Sequence, residues 1–230
     1  MAENLLVGLA KPLVTGYTNM MLDLNINRTT PFFKGPKIIT PNHPSVSDPF
    51  LVLLAFRERV RILIAEEVFK VKPFGTILRA MGHIEVIPGR GSEAIERACR
   101  ALDAGESVMI FPEGKVTPPG GGFLPPRTGA ARLALRTGAP IVPVGVHLQH
   151  DLLANVLTRA GDKQVNALWY YRGPYNISIG KPITFTGDAE DRDLVRRLTN
   201  DIMRRIALLA RQSARRMGDM GNIPALPSLV

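Results

Sequence analysis

Short apolar runs alternate with amphipathic stretches through the middle of the chain. Lys37-Ile38-Ile39-Thr40, Arg61-Ile62-Leu63-Ile64-Ala65, His83-Ile84-Glu85-Val86-Ile87, Ser107-Val108-Met109-Ile110-Phe111 and Ile141-Val142-Pro143-Val144-Gly145-Val146 read as strands. Between them, Phe50 to Phe56 reads as a helix opened by Asp48 and Pro49, and residues 66–81 as helix broken near Pro73. Residues 92–104 form a third helix, with Ser92 as N-cap and Gly105 as its stop; a fourth runs from Thr128 to Arg136 and ends at Gly138. Repeated strand–helix units of this length predict an α/β fold: a single domain whose mixed, mostly parallel sheet is covered by helices on both faces.

The ends of the chain are different in character. Residues 4–24 read as a mostly apolar, weakly amphipathic helix interrupted at Pro12. Such a helix either covers the core or lies in a membrane interface, and periodicity does not separate the two. Beyond residue 150 the pattern predicts a helix over 151–160, a strand at Asn176-Ile177-Ser178-Ile179 and a long helix over 188–216. Asp188, Glu190, Asp191 and Asp193 load the start of that last helix; Arg204, Arg205, Arg211, Arg215 and Arg216 load its end, in keeping with the helix dipole. Leu194, Leu198, Ile202, Ile206 and Leu209 form its apolar stripe. Its arginines suit a solvated face or anionic lipid headgroups. The expected organisation is an apolar N-terminal segment (1–30), a main α/β domain (31–216) and a loose tail (217–230).

Composition narrows the partners. The 45% hydrophobic content of the 230 residues suffices for a core, and the one cysteine, Cys99, falls on the apolar face of its helix, so no disulfide framework is built. The net charge is +9, which calls for an anionic partner: nucleic acid, a bilayer surface or a phosphorylated substrate. Only 6% of residues are aromatic and none interleave with Lys/Arg as a stacking platform, which argues against nucleic acid. The longest apolar stretch, Leu5 to Leu22, is broken by Lys11-Pro12, too short on either side to span a bilayer, and Met1-Ala2-Glu3-Asn4 lacks the basic start of a secretory signal. The expected location is therefore the cytoplasm.

Candidate chemistry gathers where strands end. In Asn42-His43-Pro44-Ser45-Val46-Ser47-Asp48, a histidine after a strand and a carboxylate in the next helix's first turn can fold back on each other. The carboxylate then holds one imidazole N–H and leaves the other nitrogen free to take a proton. Asp before Pro is also a common N-cap. Arg90, in the glycine-flanked turn Gly89-Arg90-Gly91, offers a planar fork for phosphate. Phe111-Pro112-Glu113-Gly114-Lys115 places a carboxylate at a strand's C-terminal edge, lets backbone approach closely at Gly114 and supplies a point charge at Lys115. Ser45 and Ser47 read as turn and capping residues, and His83 as a satisfied loop residue. His147-Leu148-Gln149-His150, with Asp151 beside it, has no surrounding metal-binding pattern, so no metal site is expected.

These blocks, in this order, resemble the glycerophospholipid acyltransferase family, whose best-known members are lysophosphatidate (1-acylglycerol-3-phosphate) acyltransferases. Asn42, His43 and Asp48 match its Asn-His-x4-Asp block; Val86-Ile87-Pro88-Gly89-Arg90 its strand ending in Arg; Phe111 to Gly114 its Phe-Pro-Glu-Gly block; and Val142-Pro143-Val144 its final strand. The resemblance implies that His43 is the general base and Asp48 its partner, with Arg90, Glu113, Gly114 and Lys115 at the acceptor's headgroup. It implies acyl transfer from acyl-CoA or acyl carrier protein, as co-substrate and without a resident cofactor, to the free hydroxyl of a lysophospholipid. The location this implies is the cytoplasmic side of an anionic membrane, peripheral or monotopic. Two departures leave acceptor identity open, glycerol 3-phosphate included: Glu66-Glu67 stand where a Lys is common, and Lys115 where Thr is usual. A non-catalytic basic protein binding lipid or nucleic acid is the reading from another class. Oligomeric state is not readable.

Overall fold

The computed structural model describes residues 2–118, 121–160 and 163–219. In chain order the elements are α1 (Ala2–Met21), β1 (Leu22–Arg28), β2 (Ile38–Pro41), α2 (Asp48–Leu53), β3 (Val60–Ala65), α3 (Glu66–Phe69), α4 (Phe74–Ala80) and β4 (Ile84–Val86). They continue with α5 (Gly91–Asp103), β5 (Ser107–Met109), α6 (Gly129–Thr137), β6 (Ile141–Leu148), β7 (Leu153–Ala160), β8 (Lys163–Tyr170), β9 (Gly173–Ile179) and α7 (Arg192–Met217). Seven strands form one sheet in the order β1-β9-β6-β2-β5-β3-β4. β2 to β6 run parallel; β9 is antiparallel to β6, and β1 is parallel to β9.

The continuous apolar runs are explained by two cores. Ile38 and Ile39, Val108 and Met109, and Ile141 and Val142 are sequence neighbours that point to opposite faces of the sheet. Ile39, Met109 and Val142 join Leu51, Val52, Ala55 and Phe56 of α2 and the residues following it. Ile38, Val108 and Ile141 join α5, α6 and α7 through Ala98, Leu133, Met203 and Ile206. Both faces being covered, neither shows an alternating pattern.

Helix α7 is held against β6 by close backbone approach. A Cβ on Gly145 would lie 2.0 Å from the Ala210 nitrogen, so only glycine fits beneath the helix. Ser213 Oγ donates to the Gly145 carbonyl at 2.9 Å. Asp191 caps the helix by accepting from the Asp193 and Leu194 N–H groups, both at 3.0 Å, and left-handed Gly218 ends it. Leu194 and Leu198 are only half-buried; the fully buried stripe is Val195, Thr199, Ile202, Met203, Ile206, Ala207 and Ala210. Arg204, Arg205 and Arg215 face solvent, whereas Arg216 turns inward to Asn25 and Ser178.

Several expectations are corrected. Residues 22–28 are a strand: Leu22, Leu24 and Ile26 alternate with Asp23, Asn25 and Asn27, and the pattern pairs with β9. Residues 151–160 are a 3-10 turn followed by β7, which pairs with β8 from Leu153↔Tyr170 to Ala160↔Lys163. Ser92 lies inside α5; Arg90 occupies the cap position and no side chain caps that end. Of the tail, residues 220–230 lie outside the described residues. Among the described residues no helix is long and apolar enough to cross a membrane.

His83 is buried before β4, where its Nδ1 accepts the Ile62 N–H at 3.2 Å. Burial, with the Arg61 charge nearby, lowers its pKa from 6.5 to about 4. In the unfolded chain the ring takes a proton near 6.5, so between the two values the unfolded state binds more protons and stability falls as pH drops. The expected contribution of His83 is a loss of about 3 kcal/mol by pH 4. His83→Asn, which keeps an acceptor for Ile62 and does not titrate there, should flatten the slope of urea-unfolding free energy from pH 6.5 to 4; an unchanged slope would contradict this.

Candidate active site

Because β2, β3, β4 and β5 run parallel, the segments that follow them leave the sheet at one edge. His43 follows β2, Glu66 follows β3, Arg90 follows β4 and Glu113 follows β5. Ligands of open α/β sheets gather at this edge. A cavity of about 350 Å³ lies at the other end of the strands, between Phe32, Lys37, Arg57 and Glu58, and contains none of the motif residues.

Asn42 anchors the first motif. Beyond the last β2–β6 pair, Pro41↔Val144, its side chain replaces the next strand residue. Oδ1 accepts the Val146 N–H at 2.7 Å and Nδ2 donates to the Val146 carbonyl at 3.0 Å, all buried. The chain then turns at Pro44, and His43 Nδ1 meets Asp48 Oδ2 at 3.0 Å. The same oxygen accepts the Ser45 N–H at 2.7 Å, and Oδ1 accepts the Tyr175 hydroxyl at 2.7 Å. Asp48 has no exposed surface, and burial raises its pKa, opposed by the donors from His43, Tyr175 and Ser45. Being hydrogen-bonded to Asp48 through Nδ1, the imidazole has Nε2 unpartnered among the described residues. Phe111 stacks on the ring with centroids 4.1 Å apart and fixes its plane.

Glu113 is turned into the protein. Oε1 accepts the His43 backbone N–H at 3.0 Å; Oε2 accepts Thr117 Oγ1 at 3.0 Å and the Leu124 N–H at 2.7 Å. The Thr117 N–H in turn donates to the His43 carbonyl at 2.7 Å. Burial raises the carboxyl's pKa against these donors. The acidic residue of the Pro-Glu-Gly turn thus ties the loop after β5 to the histidine loop, and both its oxygens are engaged by the protein. Gly114 follows at φ +66°, a left-handed conformation that calls for glycine, and the Arg127 side chain lies close over it, so that a Cβ there would fall 2.7 Å from Arg127 Nε.

The remaining candidates are spread along the edge. Lys115 is exposed beside Gly114, and Arg127, whose N–H donates to the Pro112 carbonyl at 2.8 Å, lays its side chain across the same glycine. Arg90 is exposed and gives Nε and Nη2 to Glu93, each at 2.6 Å. Glu66 pairs with Lys70 at 2.8 Å. Ser45 Oγ accepts the Ser47 N–H, as a turn residue does. Ser47 does not cap α2; its hydroxyl bridges to the Tyr170 N–H and carbonyl at 3.0 and 3.2 Å, docking β8 on the histidine loop. Cys99 is half-buried against the α5–α6 core. His147 pairs with Asp219 at 3.0 Å, and among the described residues no group of three or more His, Cys, Asp or Glu is placed to hold a metal.

Sequence reasoning missed Tyr175, Thr117, Phe111's stacking and Arg127. Tyr175 and Thr117 carry no local signal, since each is defined by a partner that the topology brings from elsewhere. Phe111 and Arg127 lie in recognised motif stretches but show their roles only in contact.

Residues 16–147 match the model of the Acyltransferase family, and the chain belongs to that family. Among curated relatives it is similar to the 1-acyl-sn-glycerol-3-phosphate acyltransferase of Borreliella burgdorferi, 28% identical over 155 residues, which make up 66% of this chain and 57% of that protein. Its fold is similar to the crystal structure of the 1-acyl-sn-glycerophosphate (LPA) acyltransferase PlsC from Thermotoga maritima, with a TM-score of 0.56 at 20% identity, covering 86% of this chain and 76% of that one.

The Asn42 bridge gives a test of how the motif is held. Asn42→Ala leaves the buried Val146 N–H and carbonyl without partners, which costs about 1–3 kcal/mol for each group. Urea unfolding should show a loss of about 2–6 kcal/mol; a change below about 0.5 kcal/mol, the range of neutral surface substitutions, would refute the anchoring role.

Proposed function

We propose that this protein transfers a fatty acyl group from an acyl thioester, on coenzyme A or acyl carrier protein, to the free hydroxyl of a lysophospholipid, with 1-acylglycerol 3-phosphate as acceptor and phosphatidate as product. The observation that supports this most is the pair of His43 with fully buried Asp48, Nε2 unpartnered among the described residues, at the sheet edge where ligands of open α/β folds gather. Membership of the acyltransferase family and the named activity of the Borreliella relative point the same way.

In this reading Nε2 of His43 takes the hydroxyl proton as the alcohol oxygen attacks the thioester carbonyl. Asp48 keeps the other ring proton on Nδ1 and stabilises the imidazolium that forms. The tetrahedral intermediate collapses by breaking the carbon–sulfur bond, and the imidazolium returns its proton to the departing thiolate. No covalent acyl-enzyme is needed. Lys115 and Arg127 are the cations beside the histidine loop for an anionic headgroup, while Glu113 and Gly114 shape the loop that carries them.

The reaction joins a membrane lipid to a water-soluble donor, so we place the enzyme at the cytoplasmic surface of an anionic membrane. The net charge of +9 and the exposed Leu13 and Met20 of α1 support this.

His43→Ala should lower kcat/KM about 10²–10⁴-fold, the range for loss of a general base. Thiol release from one acyl thioester, measured with lysophosphatidate, other lysophospholipids and glycerol 3-phosphate in turn, reads both activity and acceptor. Undiminished turnover in the variant removes His43 from the mechanism. Absence of turnover with every acceptor, alongside liposome binding that ignores His43 and Asp48, favours a non-catalytic lipid-binding protein.

A further inference from the structure

Asp48 Oδ2 is taken by His43 and the Ser45 N–H, but its second oxygen serves neither ring nor turn. That oxygen receives the phenol of Tyr175, 127 residues further along the chain on β9 and without exposed surface. We propose that Tyr175 is a positioning residue for His43: its hydroxyl fixes the Asp48 carboxylate and sets how tightly the His43–Asp48 pair holds an additional proton. This rests on the reading of His43 as general base.

The effect of the phenol is electrostatic. When the imidazole is neutral, Asp48 carries a full negative charge and the phenol makes a charge-assisted hydrogen bond to it. When one further proton is on the pair, wherever it resides, the charge seen by the phenol is partly or wholly cancelled and the bond is weaker. The phenol therefore favours the form in which Nε2 can accept a proton. It also works against the burial that raises the Asp48 pKa.

Two other titratable groups face the pair and its phenol, and each has its own hydrogen-bond partners. Glu113 faces His43 through the backbone N–H and keeps its three donors. Tyr170 faces Tyr175 with ring centroids 5.9 Å apart, and its own hydroxyl donates to the Pro174 carbonyl.

Tyr175→Phe removes one oxygen and keeps the ring. Its kcat/KM–pH profile should have the acid limb moved to higher pH by about one unit, so that activity below the limb falls about tenfold. 3-Fluorotyrosine incorporated at position 175 is a stronger donor of nearly the same shape and should move the limb to lower pH. A lowered plateau with the limb unmoved in both proteins would overturn the proposal. NMR titration of the His43 ring, assigned by its loss in His43→Gln, measures the pair without substrate. A shifted ring titration in a protein that turns over no acceptor keeps Tyr175 in place and sinks the acyltransferase reading. An unshifted ring in an active enzyme sinks the role of Tyr175. If Tyr175→Phe does not fold, the fluorotyrosine protein decides alone, and an unmoved midpoint overturns the assignment.

Discussion

A carboxylate without solvent contact is costly to keep, by several kcal/mol, unless donors converge on it from the surrounding structure. Asp48 is such a group, and the segments that supply its donors are far apart in sequence: the His43–Ser45 turn and Tyr175 of β9. Meeting that demand requires β9 to sit beside β6 and β6 beside β2, with the histidine loop leaving β2 at one fixed angle. Asn42, extending the ladder to Val146, and Glu113, accepting from His43, Thr117 and Leu124, hold that angle. The candidate active site is therefore a consequence of sheet order as much as of the motif.

The same dependence explains what the sequence made visible. Strands β2, β5 and β6 announce themselves because both their faces are buried, so Ile38-Ile39 and Val108-Met109 read as unbroken apolar runs. Helices with clear stops, such as α6 ending at left-handed Gly138, were legible for local reasons. The edge strand β1 was not: its first residues continue the apolar stretch of α1, and the alternation of Leu22, Leu24 and Ile26 becomes decisive only beside β9. The pairing of β7 with β8 was hidden by the spacing of Leu152, Leu153, Val156 and Leu157, which suits a helix until a partner strand is supplied.

At the site, spacing alone brought His43 and Asp48 together, since both lie within one turn and the start of one helix. Glu113 was correctly placed at the edge, but its orientation inward depends on Thr117 and Leu124, whose positions the sequence does not announce. Arg90 illustrates the converse: a glycine-flanked arginine that looked free has Nε and Nη2 engaged by Glu93. Arg127, less conspicuous in sequence, lies across Gly114 beside the histidine loop.

General-base catalysis here requires that Asp48 keeps a proton on Nδ1 of His43 so that Nε2 remains a base. Asp48→Asn asks this most directly. An amide nitrogen turned toward Nδ1 would force the ring proton onto Nε2 and leave no base. Thiol release by the folded variant, with lysophosphatidate and an acyl thioester, is predicted to fall about 10²-fold or more. Turnover close to that of the unaltered protein would contradict His43 as a base held by Asp48.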